Sequence, residues 1–171
     1  MRRYRLVLLA LAVIAGGTLV ALQLGASGDK RQALSWAQLR NATYPSELTK
    51  SKQAPLQDGV YEEEVAPGSA TKLKVQLADI AGFGEIDAGD SIDAATVLIG
   101  SPGGSGTFIY LAVVLNDNAT ARPAASVLLG DRVAVRSVRV ERRKITVGMR
   151  VRGPNDPLAV LTREVTRVYS L

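Results

Sequence analysis

The chain has 171 residues, with 21 lysines and arginines against 16 aspartates and glutamates, and its sequence contains no histidine and no cysteine. The length fits one compact domain with a short appendage. The two missing residue types exclude a zinc, haem or iron–sulfur centre held by cysteine or histidine, a Ser-His-Asp or Cys-His nucleophile, and any disulfide.

An apolar run occupies residues 6–24, directly after three arginines within residues 1–5. The run is long for the core of a cleaved signal peptide and close to the roughly 20 residues that a membrane-spanning helix needs. Two interpretations stay open: an uncleaved anchor, or a secretory signal cleaved near Ala26. The arginines predict a cytoplasmic N-terminus and a single pass through the cell membrane, with the remaining chain periplasmic or extracellular.

Gly16 and Gly17 lie within the apolar run beside other small residues, a pattern that allows two membrane helices to pack closely. Residues 25–32 are small, polar and charged, and they predict a linker. We therefore expect residues 33–171 to form one extracytoplasmic domain.

The pattern of apolar residues in this domain is mostly that of β-strands. Residues 33–40 predict a short helix, because two leucines and an alanine fall near one face. Period-two alternation predicts a half-buried strand at residues 72–77 and further strands at residues 132–141 and 145–152, and residues 162–171 are expected to form the final strand. Continuous apolar runs predict central strands, covered on both faces, at residues 94–99 and 107–115, with a glycine-rich connection between them. The expected fold is a mainly β, antiparallel domain of six to eight strands with one short helix.

Charge is divided unevenly along the chain. Residues 55–118 hold ten acidic and two basic residues, whereas residues 131–171 hold ten basic and four acidic ones. One interpretation is that the two regions form neighbouring strands whose side chains pair across their solvent faces. The other is a basic face that binds an acidic partner protein or anionic lipid. The candidate partner-binding residues are Arg132, Arg136, Arg139, Arg150 and Arg152.

Nucleic acid is not an expected partner of this basic region. A sheet that binds single strands stacks bases on aromatic side chains, and no aromatic residue occurs between Arg132 and Tyr169. An extracytoplasmic location argues against nucleic acid as well.

Residues 85–93 are similar to a calcium-binding loop, in which alternate residues supply the hard oxygen ligands that calcium prefers. Glu85, Asp87 and Asp93 fall at ligand positions, whereas Asp90 stands where such a loop has its turn glycine. We take these four residues as candidate calcium ligands. The alternative is an acidic connection between two strands that binds no metal, and no other cofactor is expected.

No set of residues predicts catalysis. The glycine-rich connection at residues 101–107 lacks the lysine of a phosphate-binding loop. Three consecutive glutamates at residues 62–64 point to alternating faces of a strand, and the chain has few aromatic residues to line a carbohydrate site. We therefore expect no catalytic residues and no enzymatic activity.

Seven segments carry a resemblance that extends over most of the predicted domain. They are LRNATYPSEL (39–48), PLQDGVYEE (55–63), FGEIDAGDSIDAATVLI (83–99), GGSGTFIYLAVVLN (103–116), LLGDRV (128–133), GPNDP (153–157) and VTRVYSL (165–171). In this order they resemble an uncharacterised bacterial extracytoplasmic domain of secreted proteins and lipoproteins, sometimes found beside META-type domains. The resemblance implies a β-rich fold outside the cytoplasm and a calcium loop at residues 85–93, and it implies no activity.

Together these features predict a non-catalytic, membrane-anchored protein. Its extracytoplasmic domain is expected to serve as an accessory or structural subunit of a larger membrane-protein assembly. The alternative is a secreted or cell-envelope ligand-binding module whose acidic loop holds calcium.

Overall fold

The computed structural model describes residues 32–157 and 160–171. The apolar run with Gly16 and Gly17 lies outside the described residues, so the predicted N-terminal helix does too. Within the two described ranges, no helix has the length and apolar character needed to cross a membrane.

The described part contains one short helix and ten strands. In chain order they are α1 (Trp36–Arg40), β1 (Thr43–Pro45), β2 (Gln53–Pro55), β3 (Val60–Glu64), β4 (Lys72–Gly84), β5 (Asp93–Ser101), β6 (Phe108–Asp117), β7 (Thr120–Asp131), β8 (Ala134–Glu141), β9 (Lys144–Val151) and β10 (Arg163–Tyr169).

The strands form three antiparallel sheets. Their orders are β3-β4-β5-β6-β7, β10-β9-β8 and β1-β2. The predicted mainly β, antiparallel fold with one short helix is confirmed. The number of strands exceeds the expected six to eight, because β1 and β2 have three residues each, too few for an alternating pattern to stand out.

The five-stranded sheet separates two apolar cores. Successive side chains of a strand point to opposite faces. On β5 and β6, Leu98 and Val114 therefore face a first core shared with the N-terminal layer of α1, β1 and β2. Val97 and Leu111 face a second core shared with the three-stranded sheet. This two-sided burial confirms the prediction that the two continuous apolar runs are central strands.

The N-terminal layer is fastened to the first core by Leu39 and Tyr44, which are both fully buried. Ser35 and Gln38 form a capping box at the start of α1. The Tyr44 hydroxyl donates a 2.9 Å hydrogen bond to the Leu39 carbonyl oxygen, and burial raises the pKa of this hydroxyl. A helix of five residues is not stable alone, so α1 depends on these contacts.

The three-stranded sheet approaches the five-stranded sheet most closely where β8 crosses β4. A Cβ added at Gly82 would lie 2.7 Å from the carbonyl oxygen of Val138, and one added at Gly84 would lie 2.8 Å from that of Val140. Both distances are shorter than real Cβ contacts, so the backbones meet only because these two positions are glycine.

Strand β7 forms one edge of the five-stranded sheet, and its pairing with β6 is interrupted twice. Ala124 and Leu129 are extra residues at these irregularities, and Pro123 lacks the N–H that a neighbouring strand needs. The exposed Val127 and Leu128 lie between the two irregularities.

We expect Gly82→Ala to lower the free energy of unfolding by about 1–3 kcal/mol, because the added methyl group meets backbone that cannot rotate away. Gly104→Ala is the matched control, since a Cβ there meets nothing within 4 Å. Urea denaturation of both variants measures the difference. Equal stability of the two variants would contradict the close approach of β4 and β8.

Candidate functional site

The three-stranded sheet buries one face and exposes the other. Val138, Val140, Ile145, Val147 and Met149 are buried in the second core. The opposite side, here called the outer face, includes Arg136, Arg139, Glu141, Thr146, Arg150, Glu164, Thr166 and Val168.

A β-bulge in β8 places both Arg136 and Arg139 on the outer face. Residues three apart in a regular strand point to opposite faces, which would separate Arg136 from Arg139. Val135 pairs with Met149 and Ser137 pairs with Gly148, so Arg136 is an extra residue at a β-bulge. Both arginines are exposed as a result.

Most arginines of the outer face lack an acidic partner. Arg150 donates to Glu164 on the neighbouring strand, with a shortest N–O distance of 3.0 Å. Within the described ranges, Arg136 and Arg139 have no carboxylate oxygen within 4.0 Å.

The two oppositely charged regions of the chain do not pair with each other in the described residues. Glu62 contacts Lys72 and Lys74 inside the acidic region, at 3.4 and 3.9 Å. The ion pairs of the basic region join Arg150 to Glu164 and Arg132 to Asp131. The interpretation of paired neighbouring strands therefore has no ion pair to support it in this part of the chain.

Arg132 and Arg152 lie apart from the outer face. Arg132 follows β7 with a φ of 52° and donates to the Asp131 carboxylate and to the Ser105 carbonyl oxygen. Arg152 lies just after β9, and both arginines line a small cleft of about 100 Å³. Of the five predicted arginines, three therefore lie on the outer face. The other two lie in the connections before β8 and after β9.

Asp93 organises the acidic loop between β4 and β5, and its side chain is fully buried. Its Oδ2 accepts from the backbone N–H of Ile86 at 2.9 Å and of Asp87 at 3.4 Å. Its Oδ1 accepts from the backbone N–H of Asn116 at 2.9 Å and from the Ser91 hydroxyl at 3.2 Å. Both oxygens therefore hold the loop against β6.

The other candidate calcium ligands lie nearer the surface. Asp87 and Asp90 line a cleft of about 270 Å³ together with Arg122, while Glu85 is exposed. The Asp87 Oδ1 accepts from the Gly89 backbone N–H at 2.7 Å. Across residues 32–157 and 160–171, no group of three or more acidic side chains converges as metal ligands do. Calcium binding at this loop stays a prediction.

The turn between β8 and β9 forms a basic point that we call the hairpin tip, consisting of Arg142, Arg143 and Lys144. The turn is tight, because Glu141 pairs with Lys144 across it and only Arg142 and Arg143 lie between them. Arg142 and Arg143 have φ values of 51° and 61°, a conformation that hairpins usually give to Asn-Gly. Sequence reasoning did not place these residues among the partner-binding arginines.

We expect Asp93→Asn to lower the free energy of unfolding by about 1–3 kcal/mol, because an amide group turns an N–H towards backbone donors. Asp90→Asn is the matched control, since Asp90 is exposed, and its effect should stay within about 0.5 kcal/mol. Urea denaturation with a calcium chelator present separates this structural role from metal binding. Equal effects of the two substitutions on the free energy of unfolding would contradict the structural role of Asp93.

Comparisons of the chain with protein-family models, with curated proteins and with solved structures gave no match. The resemblance to a bacterial extracytoplasmic domain therefore stays a prediction.

Proposed function

We propose that this chain is a non-catalytic, membrane-anchored extracytoplasmic protein that serves as an accessory or structural subunit of a larger membrane-protein assembly. In this proposal the N-terminus is cytoplasmic, residues 6–24 cross the membrane once, and the β-rich domain lies in the periplasm or outside the cell.

The anchor is supported by the sequence alone. Three arginines precede an apolar run of nearly membrane-spanning length, and positively charged residues favour the cytoplasmic side. Gly16 and Gly17 provide a point where the helix of another subunit can pack closely.

The observation that carries the subunit role is the outer face of the three-stranded sheet. Arg136 and Arg139 project from it with no carboxylate within 4.0 Å in the described residues, and Val168, on the far strand of the same sheet, is 59% exposed. Arginine forms paired hydrogen bonds with carboxylates, so this face fits an acidic surface on another protein. Complementary charges of this kind select the partner and orient it.

We expect Arg136→Ala combined with Arg139→Ala to release the full-length chain from its assembly, because both substitutions remove charge that faces the partner. Arg122→Ala is the matched control, since Arg122 is exposed on the other sheet. Native electrophoresis after extraction in mild detergent, with mass spectrometry of the bands, reports the assembly. A wild-type chain that migrates as a lone monomer would contradict the subunit role.

N-terminal sequencing of the mature protein tests the anchor separately. We expect residues 6–24 to be retained and the chain to resist extraction by alkaline carbonate. A mature chain that starts near residue 27 and is freely soluble would rule out the anchor.

A second candidate function is a secreted or cell-envelope ligand-binding module. The cleft beside Asp87 and Asp90 favours it, because both carboxylates line it together with Asn116 and Asn118. We expect calcium to raise the melting temperature in this case and Asp87→Ala to abolish the rise. Glu47→Ala, an exposed carboxylate elsewhere, is the control. A melting temperature that calcium does not change would exclude this version.

A further inference from the structure

We propose that the hairpin tip contacts anionic phospholipid headgroups of the membrane in which the chain is anchored. This inference rests on the membrane anchor of the proposed function, and it assigns a role to residues that lie outside the partner-binding face.

The hairpin tip lies at the end of the domain where the chain enters it. The Gln32 carbonyl oxygen accepts a 2.8 Å hydrogen bond from the Asn116 side chain, and the Asn116 backbone N–H donates to Asp93. Asp93 pairs with Gly84, and Gly84 lies against Val140. Because β8 runs towards this end, the turn that follows it projects past the same edge.

The linker keeps this end close to the bilayer. Seven residues, 25–31, separate the apolar run from Gln32. A fully extended chain of that length spans at most roughly 25 Å. A domain tethered in this way has the end with Gln32, and with it the hairpin tip, within reach of the headgroups.

The charges of the hairpin tip are free to act on an external surface. In residues 32–157 and 160–171, none of its three side chains has a carboxylate oxygen within 4.0 Å. Glu141 pairs with Lys144 across the turn, so three positive charges stand against one negative charge there and the net charge stays positive. Each basic residue near an anionic leaflet favours the bound orientation about fivefold.

The backbone conformation of the turn also supports a role for these charges. Left-handed φ values at two successive arginines are unfavourable, and Asn-Gly would occupy this turn without strain. Two long cations therefore occupy a turn whose backbone conformation favours asparagine and glycine. This makes their charge, and not their conformation, the property that needs an explanation.

Acidic residues at the same end fix which side of the domain approaches the lipid. Glu85, Asp87 and Asp90 lie in the β4–β5 loop, and Asp117 ends β6. An anionic surface repels these carboxylates and attracts the hairpin tip. We therefore expect the β8–β9 side of the domain to face the bilayer and the acidic loop to face away from it.

The experiment uses the full-length chain in lipid nanodiscs. Because the chain has no cysteine, single-cysteine variants carry one label each. Ser170→Cys places a dye one residue beyond the Tyr169–Ile145 pair, at the end of the sheet that carries the hairpin tip, and Ala70→Cys places one at the far end, in the β3–β4 connection. Quenching by spin-labelled headgroups is compared between neutral phosphatidylcholine discs and discs containing phosphatidylglycerol.

We expect phosphatidylglycerol to increase quenching at position 170 and not at position 70, with the increase lost in high salt. Arg142→Asn with Arg143→Gly should shift the equilibrium away from lipid contact about 25-fold, fivefold for each charge removed, while stabilising the turn. Arg142→Lys with Arg143→Lys keeps the charge and should keep the response.

Two results would overturn the inference: equal quenching of the position-170 label in both lipids, or an Asn-Gly variant that responds as the wild type does. Alkaline extraction of the same discs separates the two proposals. A chain that is retained but indifferent to lipid charge overturns only the role of the hairpin tip. A chain that is extracted overturns the anchor and the inference that rests on it.

Discussion

The contact between β4 and β8 is the constraint on which the rest of the structure depends. Gly82 and Gly84 let the β8 backbone lie directly on the central sheet, and this approach closes the second core from the other side. It also fixes the direction of β8, which determines where the outer face is exposed and where the hairpin tip projects. A larger residue at either glycine would push the basic sheet away and open the core beneath it.

This arrangement places the acidic region and the basic region of the chain on different sheets. The acidic region supplies β3 to β6, the basic region supplies the three-stranded sheet, and the layer between them is apolar. Because no ion pair of the described residues joins the two regions, the acidic region does not neutralise the arginines of the outer face. The observation favours the proposed role of this face in binding an acidic neighbour.

The sequence contains enough information to locate the central and C-terminal strands, because burial on one or both faces leaves a regular apolar pattern. It does not reveal that β4 continues to Gly84, since extra residues between Leu77 and Ala81 interrupt the pairing with β5. The bulge at Arg136 is equally hidden, because it depends on the register with β9. Asp93 shows the same limit at the candidate site. A carboxylate that binds backbone N–H groups and one that binds a metal look alike in sequence.

The irregular edge strand β7 affects whether copies of the domain associate when many of them are crowded on one surface. Unpaired strand edges with exposed apolar residues invite other copies to add on and polymerise. On β7, Pro123 removes one donor and the irregular pairing at Ala124 and Leu129 twists the strand, so a neighbouring copy finds no continuous ladder of donors and acceptors. Lateral crowding on a surface is therefore compatible with each domain remaining a separate unit.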